Sequence, residues 1–199
     1  MSALQQIIRR AVVAPCLAAG AFVATPPQAP ARLQIASAAG ASRTDVPSVS
    51  TIGELRRRDL RVPVDGAHVN AMRGQFGDTR EGGARGHEAV DIPAPRNTPI
   101  HAVENGTIEK LFLSRPGGIT IYQFDPERRF AYYYAHLERY AAGLQEHQAI
   151  RKGDVIGYVG TTGNAPNDAP HLHFAIFELT PEKQWWKGSP VDPWLAFTR

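Results

Sequence analysis

Five side chains able to hold a metal or move a proton fall into three short stretches of this 199-residue sequence. The first stretch, GGARGHEAVDIPAP, places His87 and Asp91 four positions apart behind a glycine-rich lead-in. An imidazole and a carboxylate together suit zinc, and a third ligand from a distant strand would leave the fourth tetrahedral position to water, as in catalytic zinc sites. A His-Glu-x-x-His helix does not fit, because the second histidine is missing and AVDIPAP reads as extended chain with an early proline stop. Glu88 then reads as a solvent-facing side chain.

The second stretch is PHLHF, Pro170 to Phe174. In a strand, residues two apart share a face, so His171 and His173 point one way while Leu172, Phe174 and Ile176 point into a core. The pair is either part of a site or two exposed histidines on a wet sheet face. The third stretch, FAYYYAHL, puts Phe130, Tyr132, Tyr134 and His136 on one face by the same alternation, with Ala131, Tyr133, Ala135 and Leu137 on the other. His136 is then either functional or a core histidine hydrogen-bonded among tyrosines. Tyr132 and Tyr134 could line a groove on the His136 face, as could the loop TTGNAPNDAP, or they serve as packing and turn residues. The remaining histidines, His68, His101 and His147, read as structural or surface groups.

The elements that must carry these residues are strands. From Pro99 onward, short apolar or alternating runs are separated by turn residues. Asn105-Gly106 inside PIHAVENGTIEKLFL is a hairpin signal. RPGG and DPERR separate the next runs, a helix is expected around Tyr140 to Gln148, and DVIGYVG and HLHFAIFEL supply two further strands. This pattern predicts a mainly β fold, an antiparallel sheet or sandwich, and excludes a βαβ architecture. Upstream, Thr51 and Glu54 have capping-box spacing ahead of LRRRDLRV, which predicts a short basic helix or a solvated charged turn.

The net charge of +3 and a hydrophobic fraction of 43% suit one globular domain. In the first 31 residues, Arg9 and Arg10 precede the apolar run Ala11 to Ala24, followed by TPPQAPA, the pattern of an export signal. The run is shorter than the roughly 20 residues of a membrane span, so a cleaved signal is favoured over an uncleaved anchor. Cleavage removes Arg9 and Arg10 and takes the charge from +3 to +1, which leaves no basis for nucleic-acid binding. Cys16, the only cysteine, lies inside that run behind Pro15, a poor neighbour for lipid attachment. Residues 32–64 have a linker composition with the short helix inside it, and 65–197 form the expected domain.

Taken together and in order, the three stretches resemble the lysostaphin-like (LytM-type) zinc endopeptidases, which cut the peptide bridges of bacterial peptidoglycan. The segments DIPAPRNTPIHAVENGTI and IRKGDVIGYVGTTGNA resemble the family's connecting text as well. The resemblance spans roughly Asp65 to Phe197. It implies a β sheet crossed by a substrate groove, one zinc ion on His87, Asp91 and His173, and His136 and His171 beside the attacking water. It further implies a peptidoglycan peptide substrate, a periplasmic or cell-envelope location, and room for a regulatory protein partner. A non-catalytic relative that binds peptidoglycan or activates another hydrolase would be missing some of these five residues, and none is missing. Ala89 stands where the family usually has Gly, which an extended backbone accepts and a positive φ would not.

Overall fold

The computed structural model describes residues 49–80 and 85–198. The export-like segment and the linker composition up to residue 48 lie outside them. The described chain runs α1 (Val49–Arg57), a 3-10 turn (Val69–Met72), β1 (Thr79–Arg80), β2 (Arg85–Gly86), β3 (Val90–Pro93), β4 (Pro99–His101), β5 (Gly106–Ser114) and β6 (Gly118–Phe124). It continues through β7 (Phe130–Tyr140), β8 (Ala149–Ile150), β9 (Val155–Val159), β10 (His171–Leu179), β11 (Gly188–Val191) and α2 (Pro193–Phe197). Apart from the small β1–β2 ribbon, all strands join one nine-stranded sheet with the path β11-β10-β7-β6-β5-β8. Every pairing is antiparallel, so the predicted fold class holds.

Strand β10 organises the sheet. One edge pairs with β7 from His173 to Glu178, and the other pairs first with β3 and then with β11. Its alternation is as read from the sequence: Leu172, Phe174 and Ile176 are fully buried, which is why the strand cannot slip by one residue without turning its apolar set outward. Phe174 stacks on Tyr132, with ring centroids 6.5 Å apart and planes 7° from parallel.

The alternation read along FAYYYAHL fails at its end. Ile121 pairs with Tyr134 and Ile119 with Leu137, so β7 spends two residues, Ala135 and His136, where β6 spends one. That is a β-bulge, and His136 at its apex has φ +62°. The extra residue reverses the facing: Tyr132, Tyr134 and Leu137 share the core, while His136 turns to the face that carries Tyr133. Tyr132 and Tyr134 therefore line no groove. Their hydroxyls are used inside, Tyr134 donating to Gln123 Oε1 at 2.7 Å and Tyr132 to Glu104.

Three further expectations are corrected. Asn105-Gly106 does not close a hairpin, because β4 pairs with β9 whereas β5 pairs with β6 and β8. After His101 the chain stays bonded to the 153–154 turn through Ala102, and a Cβ on Gly106 would lie 2.0 Å from the Phe124 carbonyl, so that glycine serves close packing. No helix forms over 140–148. Ala141 N–H donates to Ile156 O, and His147 and Gln148 exchange bonds with Ile108, which draws the segment along β5. The short helix exists, yet Thr51 lies within it and donates to Glu178 Oε2 at 3.0 Å instead of capping.

Helix α1 is held by ions as well as by Leu55, which is fully buried in the main core together with Val64. Arg58 reaches Glu54 (2.9 Å), Glu104 (3.2 Å), Asp125 (2.9 Å) and Glu127 (3.1 Å). The Asp125 side chain is wholly buried, and burial pushes both Asp125 and Glu104 above the usual carboxylate range despite the nearby guanidinium. Removing the cation from such a cluster leaves uncompensated buried charge. Arg58→Ala is therefore expected to cost about 3–5 kcal/mol in urea unfolding; a loss below about 1 kcal/mol would place the cluster among weak surface pairs.

Candidate metal centre

The register of β3 on β10 sets Asp91 directly opposite His173. Both backbone groups of Asp91 turn away from β10 to meet the Gln75 side chain, which makes this the non-hydrogen-bonded kind of pair, where side chains come closest. His173 Nδ1 lies 3.0 Å from Asp91 Oδ1. His87 arrives from outside the sheet. Its backbone N–H donates to Asp78 O and its carbonyl accepts from Gly77 N–H, both at 2.8 Å. That pins its ring so that Nε2 lies 3.2 Å from Asp91 Oδ1 and 3.4 Å from His173 Nδ1. His87 Nδ1–H donates to the Gln75 carbonyl at 3.0 Å, which fixes the tautomer and leaves the Nε2 lone pair aimed at the cluster.

These three residues are a group able to hold a metal ion, with donor atoms within 4.8 Å of one another. Separations of 3.0–3.4 Å are close to the edges of a tetrahedron with bonds of about 2.0–2.1 Å, the zinc–nitrogen and zinc–oxygen range. The donor set and its spacing fit zinc. Burial by itself would raise the Asp91 carboxyl, but the hydrogen bonds and charge of His173 and His87 outweigh it and hold that carboxyl well below the usual range. Burial pushes the His173 imidazole down, against the pull of Asp91.

His136 and His171 stand beside this group. Their ring centroids are 5.0 Å apart, His136 is 5.6 Å from His173, and His171 Nε2 is 3.8 Å from Asp91 Oδ1. Each uses Nδ1–H on a backbone carbonyl 2.8 Å away, His136 on Thr162 and His171 on Ala169, so each keeps the Nε2 lone pair for the site. Thr162 repairs the bulge at the same time: its hydroxyl accepts from Ile119 N–H at 2.9 Å and donates to Leu137 O at 2.7 Å, bridging the strands where the ladder opens. The approach is tight enough to demand glycine, since a Cβ on Gly118 (φ +64°) would sit 2.2 Å from the Thr162 hydroxyl.

All five residues picked out by type and spacing thus converge in a cavity of about 640 Å³. Its floor carries Tyr133, Ala135 and Ala175; Pro116 and Gly117 stand on one side and the loop from Asn164 to Pro170 on another. Glu88, expected to face solvent, is half-buried on the cavity wall. Ala89 is fully buried and is not among the positive-φ residues, so it carries no strain of the kind Gly would relieve. Gln75 and Tyr133 are not legible as site residues in the sequence, since a lone Gln carries no motif and strict alternation puts Tyr133 on the other face from His136. Thr162 falls in the loop read as a possible groove wall, but its bond to His136 is not legible there.

Residues 85–193, more than half of the chain, match Peptidase family M23. The chain belongs to this family. Among relatives of the M23 domain, an L-Ala–D-Glu endopeptidase of Bacillus subtilis is 34% identical over 121 residues, covering 58% of this chain and 37% of that protein. The peptidoglycan DD-endopeptidase ShyC of Vibrio cholerae is 29% identical over 124 residues, covering 60% of this chain and 27% of that protein. The chain thus spans well under half the length of these relatives. The catalytic domain of lysostaphin from Staphylococcus simulans superposes with a TM-score of 0.50 at 23% identity, over 71% of this chain and 93% of that domain, a likeness of fold that agrees with the resemblance drawn from the motifs.

His136 offers a direct test of the site's electrostatics. Burial, aided by His173 and His171 and opposed by the Thr162 bond, lowers its pKa to about 4. A folded-state value below the unfolded value of about 6.5 means that the unfolded chain binds the extra proton first, so this group withdraws stability as pH falls from about 6.5 toward 4. In metal-free protein the ring resonances of His136 should stay flat in an NMR titration from pH 8 to 5; a midpoint near 6.5 would contradict the buried placement.

Proposed function

We propose that this M23 chain is a zinc metallopeptidase that hydrolyses peptide bonds of bacterial peptidoglycan, with His87, Asp91 and His173 holding the metal and His136 and His171 moving protons. The observation that carries the reading is the convergence of three zinc-type donors at tetrahedral spacing beside two imidazoles whose Nε2 atoms are kept available. Zinc held by these three residues would supply a Lewis acid, polarising the amide carbonyl and lowering the pKa of water toward neutrality.

The chain's own residues supply the rest. Asp91, the one charged member of the ligand set, would offset part of the metal's charge and leave it positive. His136 and His171, each donating Nδ1–H to a carbonyl and so directing Nε2 toward the site, are placed so that one takes the proton of the attacking water. The same ring passes that proton to the leaving amine, while the other ring orients the attacking water by accepting from its remaining O–H. The small side chains of Ala135 and Ala175 on the cavity floor leave room for an extended peptide to lie along the sheet. The peptidoglycan substrate is supported by the name of the Vibrio cholerae relative and by the resemblance of the ordered motifs. A periplasmic or cell-envelope location is supported by the export-like start of the chain and by that substrate.

Purified protein incubated with isolated peptidoglycan should release new amino termini, and the release should vanish with EDTA and in His173→Ala, which loses the metal. His171→Ala should retain stoichiometric zinc while turnover falls about 10²–10⁴-fold, the usual contribution of a positioned proton-transfer group. Stoichiometric zinc in the unaltered protein with no new termini from any cell-wall peptide would make the chain a peptidoglycan-binding relative instead.

A further inference from the structure

Gln75, which lies between the 3-10 turn and the β1–β2 ribbon, touches two of the three proposed ligands through three polar contacts and Ala71 through a fourth. Its Oε1 accepts from Asp91 N–H at 2.6 Å, and its Nε2 donates to Asp91 O at 3.2 Å and to Ala71 O at 2.8 Å. Its own backbone carbonyl accepts from His87 Nδ1–H at 3.0 Å. The orientation of the amide is not arbitrary. Asp91 N–H can only donate, and the two carbonyls can only accept, so one arrangement satisfies all three partners.

The side chain behaves as one rung of an additional strand. At Asp91 the β3 backbone turns both its N–H and its C=O away from β10, and the Gln75 amide pairs with both, as a neighbouring strand would. It fixes the height and tilt of the residue whose carboxylate faces His173. Through its main chain the same residue fixes which nitrogen of His87 faces the cluster. Ala71, the third anchor, ties this clamp to the 3-10 turn, where Met72 is buried in the main core.

We propose that Gln75 is the positioning residue of the metal centre, holding the Asp91 backbone and the His87 tautomer in the geometry that binds zinc. This rests on the reading of His87, Asp91 and His173 as zinc ligands. Partners of this kind, once removed, cost about 10- to 100-fold in metal affinity. The test compares full-length protein with Gln75→Ala and Gln75→Met, the latter matched in length but without the amide. Zinc affinity is measured by competition with a chromophoric chelator, and unfolding midpoints are measured with and without zinc.

The expected result is zinc binding weaker by about 10- to 100-fold in both variants, with a smaller zinc-dependent rise in midpoint and with metal-free midpoints close to that of the unaltered protein. Zinc affinity equal to that of the unaltered protein in either folded variant would overturn the proposal, and a lowered metal-free midpoint alongside it would assign Gln75 a purely structural role. Failure of both variants to fold would overturn it as well, making Gln75 a folding residue. If the unaltered protein itself takes up no zinc, the ligand assignment falls first, so the two failures are told apart.

Discussion

A nine-residue strand with three neighbours has almost no freedom of register, and β10 is that strand. Its buried set, Leu172, Phe174 and Ile176, commits the opposite face to His171, His173, Ala175 and Phe177. Pairing with β3 then brings Asp91 opposite His173, and pairing with β7 brings Ala135 opposite it on the other edge. A shift of one residue on any of these edges would bury an imidazole and expose a phenylalanine. Hydrophobic burial, which is non-directional, thus dictates the position of directional groups because the pleat ties one face to the other.

The remaining site residues are brought in by departures from regular structure. His136 belongs to β7 by sequence, but only the extra residue of the bulge and its positive φ turn it out of the core. The open ladder that results is satisfied by the Thr162 hydroxyl, and the Thr162 carbonyl orients the ring. One residue from a distant loop therefore both repairs the defect and uses it. His87 is a second case. It lies off the main sheet, fixed through Gly77, Asp78 and Gln75, so the segment before the first zinc-type ligand is as much a part of the centre as the sheet.

The chain before that segment is anchored to the core as well. Helix α1 buries Leu55 and offers Arg58 to a set of carboxylates that includes the wholly buried Asp125. Tyr132, whose ring stacks on Phe174, sends its hydroxyl to Glu104 in the same cluster.

The sequence by itself determined which residues carry chemistry and which face of β10 they share. Type, order and the two-residue period are local properties; each stretch alone left a structural reading open, and only the three in order pointed to one site. The short turns RPGG and DPERR were legible as local signals too. What only the tertiary structure decided was the facing of His136, the partner of β4, the fate of the 140–148 segment and the role of Gln75. A bulge depends on the register of two strands against each other, and the Asn105-Gly106 turn cannot reveal that its flanking strands pair elsewhere. A side-chain amide gains its meaning from the backbone edge it meets, and that edge is created only when β3 has docked on β10.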